Sequence, residues 1–120
     1  MSEHTEQAAV FQWAKLREGQ YPALKLMFAV PNAGKRSPGA AAYYLAEGLK
    51  SGVPDILLPI SYQYPYNGLA IEMKDGKNKP TPKQKEWLQM LADAGWRTEV
   101  CYSQEEAKAV IKDYLKIEGE

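Results

Sequence analysis

A chain of 120 residues, 45% hydrophobic and 25% charged, is long enough for one real core, and one domain over 1–120 is expected. No apolar run nears the ~20 residues of a membrane span and no signal-peptide pattern opens the chain, which points to a soluble, cytoplasmic protein. A formal net charge of zero gives no general attraction to nucleic acid, while the single Cys101 and single His4 exclude an internal disulfide and disfavour zinc sites and catalytic triads.

In chain order, the apolar spacing predicts a helix from Ser2 or Glu3 to Arg17, stopped at Gly19. Glu6, Val10 and Trp13 share one face, so an acid points where the apolar stripe points. The helix dipole alone also favours an acid in that first turn. Leu24, Leu26, Phe28 and Val30 alternate and predict a strand over 24–30. The loop PNAGKRSPG follows, dense in turn formers and carrying Lys35 and Arg36. AAAYYLAEGLKSG predicts a short helix ended by glycine, and VPDILLPI a second strand with Asp55 near its start.

SYQYPYNG spaces Tyr62, Tyr64 and Tyr66 at every second residue and ends in Asn-Gly, a tight-hairpin signal. LAIEMK is then a third strand, antiparallel to the second. Thr81 as N-cap and Pro82 at the first helical position open the next helix, which closes near Gly95. WRTEVCY reads as a fourth strand. Ser103 and Glu106 form a capping-box pattern ahead of a last helix striped by Ala107, Val110, Ile111, Tyr114 and Leu115. The order α-β-α-β-β-α-β-α describes an α/β protein with a mixed sheet flanked by helices, not a regular parallel series.

Glu72 and Lys74 interrupt the apolar third strand, although burying either charge costs several kcal/mol. Two residues apart, they project from one face of the strand. In an antiparallel hairpin the start of the second strand, with Asp55, lies beside them. Two carboxylates and a backbone carbonyl suit a hard cation such as Mg²⁺, with Lys74 near a bound water or phosphate oxygen. A structural ion pair between Lys74 and the acids is the competing account.

The surrounding charge favours a phosphate-facing side: five lysines against two acids from Lys74 to Glu86, and a surplus of two positive charges from Lys35 to Lys50. Gln84 heads the stripe Gln84, Trp87, Leu88 and Leu91, as a capping amide or as a site group. Lys83 and Lys85 flank it at a helix N-terminus, where the dipole favours phosphate.

GVPD (52–55), IEMK (71–74) and TPKQKEWL (81–88) resemble the P-D…(D/E)-x-K arrangement of the PD-(D/E)XK nuclease superfamily. From the first helix through VPNAGKRSPGAAAYYLAEGLKSGVPDILLP to AGWRTEVCYSQEEAKAVI the chain is similar to the VRR-NUC domain. That domain is found as small stand-alone proteins in phages and bacteria and fused to larger repair nucleases. The resemblance implies a restriction-endonuclease-like core with Asp55, Glu72 and the Met73 carbonyl as metal ligands. It implies Lys74 as the catalytic lysine, Glu6 as a first-helix acid reaching the metal, and Gln84 as the glutamine that orients site groups.

Lys35, Arg36 and Lys50 would contact phosphates, alongside Lys83 and Lys85. The implied cofactor is Mg²⁺, with Mn²⁺ able to substitute. The implied substrate is branched DNA such as four-way junctions, cut by a homodimer that supplies two active sites. Tyr43, Tyr44 and the Tyr62–Tyr66 segment offer surface for that dimer or for stacking on bases. A nuclease for flaps or linear duplex, and a non-catalytic nucleic-acid-binding module, are the alternatives. The VRR tripeptide itself is absent.

Overall fold

Four helices flank a four-stranded mixed sheet in a computed structural model that describes residues 2–31 and 37–119. Helix α1 (Glu3–Arg17) starts where the Ser2 hydroxyl accepts the Thr5 amide, and it buries Val10, Trp13 and Ala14. The expected strand over 24–30 is mostly not a strand. Pro22 opens a 3-10 helix, Pro22–Leu26, which leaves only Phe28–Ala29 as strand β1. A three-residue repeat then turns Leu24 and Met27 inward while Leu26 and Phe28 stay exposed. The alternation of apolar residues was real, but proline and a three-residue period outweighed it.

Helix α2 (Pro38–Ala46) is capped by Ser37, whose hydroxyl accepts the Ala40 amide, and none of its residues is buried. Strand β2 (Ile56–Leu58) pairs antiparallel with β1 and with β3 (Leu69–Met73). Helix α3 (Pro82–Asp93) crosses over to β4 (Arg97–Cys101), which lies parallel to β3, and α4 (Gln104–Leu115) closes the order. Gly95, at φ +92°, ends α3: the Gly95 amide donates to Ala92 O and the Trp96 amide to Leu91 O. Those two bonds form a Schellman motif, which only a left-handed residue completes at low cost.

Ile56, Leu58, Leu69, Ile71 and Met73 pack against Val10, Trp13 and Ala14 of α1 and Ala107, Ile111, Tyr114 and Leu115 of α4. Each such large aliphatic side chain contributes about 1.5–3 kcal/mol when removed from water. Strands β2 and β3 are antiparallel neighbours as expected, but no tight Asn-Gly turn joins them. Asn67 instead binds the α3–β4 turn, its amide donating to Gly95 O and its Nδ2 to Ala94 O. Residues 59–68 form a wide loop pinned by Arg97, which donates to Glu99, Gln63 and Asp113. Tyr64 stands at 95% exposure on that loop. No helix among the described residues is long and apolar enough to cross a membrane.

Candidate active site

The β2–β3 register brings two acids face to face. Ile56 opposes Ile71, so the next pair outward is Asp55 and Glu72. Cross-strand neighbours of this kind place their Cβ atoms about 4.5–5.5 Å apart. Asp55 Oδ2 accepts the Met73 amide at 2.7 Å. The N–H and C=O of one strand residue point the same way, so the Met73 carbonyl faces Asp55 too. One step on, the Lys74 amide donates to Cys101 O at 2.8 Å and holds the lysine at the end of the β3–β4 ladder.

Glu72 is 2% exposed and Lys74 9%. Glu72 Oε1 is fully buried and has no hydrogen-bond partner among the described residues. No ion pair joins Lys74 to Asp55 or Glu72 there, so the ion-pair account of these charges is not realised. Burial first, then the Asp55 charge and a hydrogen bond with Asp55, push the Glu72 carboxyl up to about 9. The Lys74 charge opposes this and the Glu3 charge adds to it. In the metal-free protein Glu72 therefore holds a proton at neutral pH. The pair stores a negative charge that only a proton or a cation can offset.

Helix α1 supplies the opposite wall. Glu3, His4, Gln7, Ala8 and Phe11 face Val30 and Asp55 across a cavity of about 260 Å³. The first-helix acid whose charge reaches Glu72 is thus Glu3. Glu6 points inward as its stripe requires, but Gln104 occupies its carboxylate: Oε1 accepts the Gln104 amide at 3.2 Å and Oε2 the Gln104 Nε2 at 3.1 Å. Glu6 fastens α1 to the start of α4. Glu3 and Gln7 were missed because two stripes run through Val10. The line Glu3, Gln7, Val10, Ala14 also has helical spacing, and its acid faces the strand end that carries Asp55.

Gln84 completes a capping box, its Oε1 accepting the Thr81 amide at 2.9 Å while Thr81 Oγ1 accepts the Gln84 amide. Its side chain still lines a narrow crevice with Asp55, Lys50, Gly52 and Val53. Gly52, at φ +88°, makes that crevice narrow, since a Cβ there would lie 2.7 Å from Lys83 Cγ and 2.9 Å from Lys83 O. Lys50 lines the crevice and Lys83 packs against its Gly52, while Lys85 lies further along the first turn of α3; all three are exposed, with no ion pair among the described residues. Lys35 and Arg36 lie outside the described residues.

Among the described residues, no three His, Cys, Asp or Glu side chains cluster tightly enough to hold a metal alone. Two carboxylates, one of them with an orphaned buried oxygen, and a carbonyl fit a cation that keeps several waters. Mg²⁺ behaves so, being bound through one or two carboxylates and reluctant to dehydrate.

The mixed sheet thus presents Asp55, Glu72 and Lys74 at the open end of its central antiparallel pair, opposite the acidic first turn of α1. The VRR-NUC domain model matches residues 1–105. A solved structure of a VRR_NUC domain protein is similar at 32% identity and a TM-score of 0.79, over 98% of this chain and 90% of that one. No curated protein matches. The chain belongs to the VRR-NUC family, a family of nuclease domains of a type that generally uses divalent metal.

Proposed function

We propose that the protein is a Mg²⁺-dependent, structure-selective DNA endonuclease. It hydrolyses phosphodiesters in branched DNA such as four-way junctions, as a homodimer in the cytoplasm of a bacterial or phage-infected cell. The observation that carries the reading is the Glu72 oxygen, buried and without a hydrogen-bond partner among the described residues, opposite the half-buried Asp55, an acid pair that makes physical sense when a cation completes it.

Asp55, Glu72 and the Met73 carbonyl would hold the ion, with Glu3 rather than Glu6 in the role that the resemblance implies for a first-helix acid. A bound divalent cation supplies positive charge to the phosphoryl oxygen and lowers the pKa of a water. Asp55 keeps one oxygen on the Met73 amide, which fixes its carboxylate before substrate arrives. Glu72 would give its proton to solvent in order to hold the ion. Lys74, buried and without an ion pair among the described residues, would orient the attacking water and balance charge that develops on the phosphate. Lys50 and Lys83 neutralise flanking phosphates, and Gln84 keeps the first turn of α3 in place beside them.

Cutting a junction symmetrically needs two sites, and a two-fold pair of chains provides them. Exposed Tyr43 on α2, and Tyr62 and Tyr64 on the 59–68 loop, offer apolar surface for that contact. The test is incubation of matched four-way, forked, flapped and linear DNA with Mg²⁺, Lys74→Ala serving as control. Preferential cutting of the four-way substrate is expected. Equal cutting of all four removes the junction preference, and no cutting removes the enzyme.

A further inference from the structure

Between α2 and α3 runs an open groove of about 580 Å³, lined by Leu45, Leu49, Trp87 and Met90 with Lys50, Ser51, Lys83 and Glu86 at its rim. Its volume falls within the ~300–1,000 Å³ of small-molecule sites. The groove is not separate from the acids, because Lys50 lines both it and the crevice that contains Asp55 and Gln84. Lys83 sits at the same junction, packed against Gly52. Its apolar wall is also unusual. Helix α2 buries none of its residues, Leu45 is 48% exposed and Met90 43%. Apolar side chains held open to water next to two lysines without ion pairs among the described residues suit a ligand with an apolar face and a negative charge.

We propose that this groove receives one unpaired nucleotide of the substrate strand, the base lying on Trp87 between Leu45 and Met90 and its phosphates on Lys50 and Lys83. The proposal rests on the nuclease reading and extends it to how a branch is recognised. A base inside a duplex has both faces covered by its neighbours, so only an unpaired base at a fork or junction offers a face to an indole. Two lysines against Glu86 leave the rim positive, which suits a phosphodiester and disfavours an acidic peptide. Continuity through Lys50 means that a strand whose scissile phosphate lies by Asp55 carries its neighbouring nucleotide toward the groove.

The test is binding of a forked duplex with a single-stranded thymidine arm, in chelator so that nothing is cut. The comparison fork keeps its phosphates but has abasic arm nucleotides beside the branch. Wild-type protein should bind the abasic fork about tenfold more weakly, the usual effect of losing one base–aromatic stack. Leu45→Gln and Met90→Gln, at exposed positions that tolerate the change, should lose a similar factor on the fork and nothing on linear duplex. Trp87→Phe should keep the affinity but lose the tryptophan quenching that accompanies binding.

Equal affinity for intact and abasic forks overturns the proposal. So does a Leu45→Gln protein that binds forks normally yet sediments as a monomer where wild type is a dimer, since a second copy then covers the groove. Mg²⁺-dependent cutting by wild type, measured on the same fork, reports on the nuclease reading separately. Cutting without any abasic effect sinks the groove alone, and no cutting sinks the enzyme.

Discussion

At 2% exposure the Glu72 carboxyl has one oxygen with no hydrogen bond among the described residues, and Asp55 opposes it across the strand pair. Its pKa, pushed up to about 9 from 4.5, makes the metal-free native state bind more protons than the unfolded chain between those two values. Stability from this group is therefore full below about 4.5, declines as pH rises, and is gone above about 9. Urea denaturation in chelator should show wild type losing stability from pH 6 to pH 9, and Glu72→Gln losing much less.

A Mg²⁺ ion held by Glu72, as proposed, would have to displace that same proton. Calorimetry in buffers of different ionisation enthalpy should register release of about one proton per ion at pH 7 by wild type, and none by Glu72→Gln. Lys74→Ala should still bind Mg²⁺ and lose about 10²–10³-fold in cleavage, the usual effect of removing one pre-placed charge from such a site. Should Lys74→Ala cut DNA at the wild-type rate, the lysine has no chemical role.

Among the elements, a tight constraint is the contact between the Gly52 turn and the first turn of α3. A left-handed φ and a Cβ position 2.7 Å from Lys83 Cγ leave no room for alanine. Gly52→Ala should cost about 1–3 kcal/mol in urea titration and shift Lys83 away from the crevice. Thr81→Ala, which removes half of the capping box beside it, should cost about 1 kcal/mol. The two losses meet at one helix end, so their double mutant should fall short of additivity. The 59–68 loop depends on Arg97, whose Nη1 donates to Asp113 at 2.7 Å and to Gln63 at 2.9 Å. Arg97→Met should make the loop readily cut by chymotrypsin after the exposed Tyr62 while the sheet stays folded.

At the scale of the whole molecule, charge is segregated although the total is zero. Five lysines against two acids occupy Lys74–Glu86 next to the acid pair, whereas six acids against three lysines occupy the segment from Glu99 to the end. Polyanion binding should therefore be confined to the end of the sheet that bears Asp55 and Glu72. In a salt titration of duplex binding, Lys77→Ala and Lys79→Ala should each reduce the log–log slope by about 0.9, and Lys108→Ala by nothing. A slope unchanged by the first two would place the DNA elsewhere.

The order of elements was legible because each start and stop is a local matter. Ser2, Thr81 and Ser103 cap their helices through bonds no longer than three residues, and Gly95 ends α3 by its own backbone freedom. The strand expected at 24–30 failed because Pro22 and burial of Leu24 and Met27 impose a different period, and burial is decided by what packs above. The antiparallel pair was legible from two apolar runs. The turn between them was not, because Asn67 finds partners at Ala94 and Gly95, far away in sequence.

The juxtaposition of Asp55, Glu72 and Lys74 could be anticipated, since strand periodicity and antiparallel pairing fix which side chains are neighbours. Which acid of the first helix joins them could not. Glu3 and Glu6 are both compatible with a stripe through Val10, and only the docking of α1 on α4, which gives Glu6 to Gln104 and turns Glu3 toward Asp55, distinguishes them. The groove beneath α2 belongs to the same category. A sequence specifies faces and ends through local bonding and periodicity, whereas which faces meet is set by packing among distant elements.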